Sequence, residues 1–106
     1  MTKHVQKDPY YAVIFTAKTS NITEGYEEMA ASLQEIIKSQ EGFISLESIK
    51  EGKEEITVSY WKSMKAIQEW SMNERHAAAK KGGKEVWYDN FTVRICEVVR
   101  EYAFGK

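Results

Sequence analysis

The stretch from Phe43 to Trp61 constrains the fold more than any other. Two segments rich in β-branched and aromatic residues, FISLESI and ITVSYW, flank the short turn KEGKE with Gly52 at its centre. Such a pair predicts an antiparallel hairpin. In its second arm Ile56, Val58 and Tyr60 share one face, and Thr57, Ser59 and Trp61 share the other. The elements on either side of this hairpin decide the rest.

Before it, YYAVIFTAK (Tyr10 to Lys18) reads as a strand that is largely apolar on both faces. Tyr11, Val13 and Phe15 point one way, Ala12, Ile14 and Thr16 the other, so both faces call for a cover. A helix follows, with Ile22, Tyr26, Met29, Leu33 and Ile36 or Ile37 on one stripe at spacings of three and four. Asn21 with Glu24 is the candidate capping box, and Gly42 the stop. After the hairpin, Ser63 is the N-cap of a second helix whose apolar stripe is Ala66, Ile67 and Trp70. SMNERHAAAKKGGKEVW continues it, with a break at Asn73 as one option and an end or bend at Gly82 and Gly83. The last strand is NFTVRICEVVREY, with Phe91, Val93, Ile95 and Val99 on one face. The order β-α-β-β-α-β predicts an α+β, ferredoxin-like domain with two helices on one face of a four-stranded antiparallel sheet. The bare face then needs a partner, and a symmetric homodimer packed sheet on sheet is the simplest one.

A length of 106 residues suits one domain over 1–106, with residues 1–9 polar and loose. The net charge of -1 offers no concentrated basic surface, so nucleic acid is not an expected partner. Lys80, Lys81 and Lys84 read as a solvated helix end. The sole cysteine, Cys96, falls in the last strand as a buried, inert thiol and is consistent with a reducing cytoplasm. The start MTKHVQKDPYY lacks the apolar segment of a signal peptide, and no apolar run reaches membrane-spanning length, so no membrane partner is expected.

Motifs for metal, phosphate or nucleophilic chemistry are lacking. His4 and His76 stand apart without neighbouring ligands, KKGGK has neither P-loop spacing nor a preceding strand, and the many glutamates single out no catalytic pair. What remains is an aromatic set, Tyr60, Trp61, Trp70, Trp87, Tyr88 and Phe91, with His76 six residues after Trp70. On a continuous helix the two side chains would be about 120° apart. These rings serve either as core or as the walls of a pocket for a flat ligand.

The residues EGF, YWKSMKAIQEW and ERHAAAKKGGKEVWYDNFTVRICEVVREY resemble the antibiotic biosynthesis monooxygenase family, in particular its small stand-alone bacterial members. The matching positions are Trp70, His76, Ala79, Gly82, Trp87, Tyr88, Arg94, Arg100, Glu101, Tyr102 and Phe104, and the likeness runs from Tyr10 to Phe104. It implies a dimeric ferredoxin-like fold and, as activity, cofactor-independent oxidation of a small aromatic or quinol by O2. On that reading His76 and Trp70 are the catalytic candidates, Phe15, Trp61 and Trp70 line the substrate pocket, and neither cofactor nor metal is required. The haem-degrading branch is the alternative. It pairs a strand-one asparagine with a helix-two tryptophan and a histidine ten residues beyond. Here only Trp70 fits: the asparagine falls near Phe15, and the histidine position is Lys80, about one helical turn from His76. A non-catalytic dimeric ligand-binding module is the third reading.

Overall fold

The computed structural model describes residues 8–79 and 84–106, the side chains of 75–79 and 84 excepted. The first seven residues and 80–83, including most of the expected flexible start, Lys80, Lys81, Gly82 and Gly83, lie outside the described residues. The elements run β1 (Tyr10–Thr19), α1 (Tyr26–Lys38), β2 (Phe43–Glu51), β3 (Glu54–Trp61), α2 (Met64–Ala79), a 3-10 turn (Lys84–Val86) and β4 (Tyr88–Val98). The four strands form one antiparallel sheet in the order β2-β3-β1-β4. This is the β-α-β-β-α-β order that the sequence predicts.

Register explains which residues the helices cover. Tyr11 pairs with Trp61, Val13 with Ser59, Phe15 with Thr57 and Ala17 with Glu55. Directly opposed residues share a face, so these eight make one surface, and both helices lie on it. At one end Trp61, Ile37, Ala66, Ile67 and Trp70 form a core cluster; at the other Ala17, Met29, Trp87 and Tyr88 form a second. Ile14, Val58, Ile56 and Tyr60 belong to the opposite face. There Ile56 is 51% exposed and Ile49 74% exposed.

Several local expectations are corrected. α1 starts at Tyr26 with Gly25 as its N-cap at φ 81, and no side chain caps it. Asn21 instead accepts a hydrogen bond from Lys53 Nζ, and Ser20 Oγ accepts one from Ile22 N and donates to the Val86 carbonyl. The residues before α1 are thereby tied to the hairpin tip and to the segment before β4, and Ile22 stays exposed outside the helix. The Trp87 ring rests 3.4 Å from where a Cβ on Gly25 would stand, so glycine suits that left-handed position twice over. Ser63 is the expected cap of α2, accepting from Ala66 N at 3.1 Å. α2 then runs unbroken through Asn73, whose side chain donates to Gln40 Oε1. β4 ends at Val98, so Val99 to Tyr102 lie beyond the strand. Cys96 is exposed, because it pairs with Ala12 on the face away from the helices.

Candidate functional site

Between the two helices and the sheet lies a cavity of about 390 Å³. Its floor is Val13 and Phe15 of β1 and the alternating row Glu55, Thr57 and Ser59 of β3, flanked by Leu46 and Ser48 on β2 and by Val93 and Ile95 on β4. α1 contributes Tyr26, Met29, Leu33 and Ile37, and α2 contributes Ile67, Trp70, Ser71 and Glu74. The volume falls in the range of small-molecule sites, and the wall is mainly apolar with a few convergent polar groups.

The expected site residues divide. Phe15 and Trp70 line the cavity. Phe15 is held by rings on β4, stacked on Phe91 at 5.6 Å and edge-on to Tyr88 at 5.4 Å. Trp61 does not line it: with 0% exposure it lies within the core, stacked on Trp70 at 6.2 Å and edge-on to Phe43 at 5.5 Å. Its indole N–H is satisfied by Ser59 Oγ at 2.9 Å. It supports Trp70 from behind. His76 belongs to α2 by its backbone, which runs as one helix from Met64 to Ala79, but its side chain lies outside the described residues.

The polar end of the cavity is built on Glu55, a residue the sequence did not single out. Glu55 is only 8% exposed, and its carboxylate meets two phenols. The Tyr26 hydroxyl donates to Oε1, and the Tyr88 hydroxyl lies 3.3 Å from both oxygens. Burial pushes both phenols above the ordinary tyrosine value of 10, and the neighbouring Glu55 carboxylate adds to it. Both therefore remain protonated donors at neutral pH. Among the described residues no cationic nitrogen lies within ion-pair distance of Glu55. Lys50, its register partner on β2, turns its ammonium to the Gly52 carbonyl at 2.9 Å and over the Tyr26 ring. No group of three or more His, Cys, Asp or Glu suited to hold a metal ion occurs among the described residues.

Residues 10–82 match the sequence model of the family described as antibiotic biosynthesis monooxygenase. The chain belongs to the antibiotic biosynthesis monooxygenase family. Among curated proteins, the uncharacterized protein YqjZ of Bacillus subtilis is 43% identical over 97 residues, covering 91% of this chain and 85% of the relative. A crystal structure of SnoaB, a cofactor-independent oxygenase from Streptomyces nogalater, superposes with a TM-score of 0.67 at 10% identity, covering 81% of this chain and 89% of that one. NE2512 from Nitrosomonas europaea, of unknown function, gives a TM-score of 0.69 at 13% identity, covering 92% and 97%. At such identities the two structures establish the family's fold alone. No helix among the described residues of this family member is long and apolar enough to cross a membrane.

Proposed function

We propose that the protein binds a small hydroxylated aromatic or quinol in the cavity and oxidises it with O2, without an organic cofactor or metal. The observation that carries this reading is the cavity itself, an aromatic-walled space of about 390 Å³ with a polar end, in a chain of this family. A deprotonated quinol or anthrone is electron-rich enough to react with O2 directly, so the protein's task is to bind, desolvate and deprotonate. For an anthrone, the substrate carbanion passes an electron to O2 and the two radicals combine to a peroxide. Loss of water then leaves a carbonyl: one oxygen atom enters the product and the other departs as water, with two substrate hydrogens. Phe15 and Trp70 are the proposed ring contacts, and His76, on the same helix as Trp70, the proposed base.

The proposal includes a second copy of the chain on the bare sheet face, where Ile49 and Ile56 stand exposed, and a cytoplasmic setting. The test is oxygen uptake by metal-free protein with a panel of quinols and anthrones, on a sample whose mass is read by sedimentation. The expected result is a dimer with uptake stoichiometric with carbonyl product, lost by at least tenfold in Trp70→Ala and His76→Ala. Wild-type rates in both variants would remove these two residues from the mechanism. Absence of uptake across the panel would remove the oxygenase reading.

A further inference from the structure

We infer that Glu55 sets the ligand class of the cavity: its buried carboxylate accepts a hydrogen bond from a ring hydroxyl, so the site takes neutral phenols and quinols and rejects aromatic carboxylates. This rests on the proposal that the cavity holds an aromatic ligand, and goes beyond it by naming the group that chooses among aromatics.

The Glu55 carboxylate has acceptor capacity that its protein partners leave open. An ionised carboxylate offers about four acceptor positions. Glu55 fills them incompletely: the Tyr26 hydroxyl donates to it, while the Tyr88 hydroxyl at 3.3 Å and the Thr57 hydroxyl at 3.5 Å are both long for O–H···O bonds. The residue nevertheless lines the cavity while being 8% exposed, so its remaining acceptor capacity is directed at whatever occupies that space and is poorly served by bulk water. Among the described residues no cation lies within ion-pair distance of it. The two phenols beside it are themselves held protonated, so they supply hydrogen bonds and no positive charge.

A ligand hydroxyl placed here completes the carboxylate's shell. An ether in its place leaves an acceptor facing an acceptor, and a ligand carboxylate brings a like charge into a partly desolvated site. Lys50 also lines the cavity, but its ammonium is held at the Gly52 carbonyl and over the Tyr26 ring rather than at ion-pair distance from Glu55, so it weakens that repulsion without removing it. A hydrogen bond to a charged partner corresponds to roughly ten- to hundredfold in affinity.

The experiment is isothermal titration calorimetry on the whole chain under anaerobic conditions with three probes on one ring system: 2-naphthol, 2-methoxynaphthalene and 2-naphthoate. The wild-type protein is expected to bind naphthol about tenfold or more tighter than either of the others. In Glu55→Gln, checked for folding by circular dichroism, naphthoate is expected to gain and the gap between naphthol and naphthoate to shrink by about tenfold. Equal affinities for the three probes, or naphthoate the tightest, would overturn the inference on the wild-type protein alone, whatever the variant does. So would a folded Glu55→Gln that keeps the wild-type ranking unchanged. Absence of binding by any probe at millimolar concentration overturns both this inference and the aromatic-site reading. The expected ranking without oxygen uptake overturns the oxygenase reading alone. Oxygen uptake with no ranking overturns this inference alone.

Discussion

Replacing Trp61 with alanine is expected to lower stability by about 3–5 kcal/mol, the range for emptying the site of a large buried aromatic. Three contributions add. The indole has 0% exposure, so its whole surface returns to water on unfolding. It stacks on Trp70 and meets Phe43 edge-on, contacts that area alone does not count. Its N–H is the donor to Ser59 Oγ, which is itself buried. Against a total of about 5–15 kcal/mol for a domain of this kind, the variant would stand near the limit of folding. Chemical denaturation reads the loss, and Trp61→Phe separates the roles. It keeps a ring in the core and lies outside the cavity lining, so it is expected to lose about 1–2 kcal/mol and to retain ligand affinity. A Trp61→Phe protein of wild-type stability that no longer binds the naphthol probe would return Trp61 to the pocket wall.

Gly42→Ala is the second large effect. Gly42 sits at φ 85, and a Cβ there would come 2.6 Å from the Cβ of Ala66. Left-handed backbone costs a side-chain-bearing residue about 1–2 kcal/mol, and overpacking typically another 1–3 kcal/mol. Because the Gly42 carbonyl accepts from Lys62 N at 2.8 Å, the loop cannot withdraw without breaking the link between the start of β2 and the end of β3. The expected loss is about 2–5 kcal/mol, seen as a lower urea midpoint at unchanged slope. The double variant Gly42→Ala with Ala66→Gly is expected to recover the steric part and leave the backbone part, a coupling that a double-mutant cycle isolates. Wild-type stability for Gly42→Ala would show that the close approach of α2 to this turn is not as described.

These two residues also show how far the sequence reaches. The hairpin, the alternation of β1 and β3 and the helical stripes carry enough period to give the element order, and the order gives the fold. Parity identifies the face of Trp61 but not its depth. Trp61 and Ser59 share a face, yet only Ser59 borders the cavity, because Ile37, Ala66, Ile67 and Trp70 close over the indole. The start of α1 is hidden from the sequence for a similar reason: Asn21 and Ser20 have capping chemistry, but long-range partners, Lys53 and Val86, occupy their side chains. The apolar run of β4 predicts a buried Cys96, and register puts it on the uncovered face instead.

Glu55 is the most instructive case. By residue type it is one of several acids around the hairpin turn, with Glu51 and Glu54 beside it. Extending the row Trp61, Ser59, Thr57 by one more step of two lands on Glu55 and places a carboxylate on the helix-covered face. That signal was present in the pattern. Its partners were not, since Tyr26 and Tyr88 come from α1 and β4, elements far apart in the chain.

The most direct test of the account is a crystal structure of the protein grown anaerobically with a hydroxylated anthrone. The account predicts a planar ligand in the cavity lined by Phe15 and Trp70, with a ring hydroxyl within hydrogen-bond distance of the Glu55 carboxylate. A ligand bound only on the open sheet face, or a cavity that stays closed to it at saturating concentration, would contradict it.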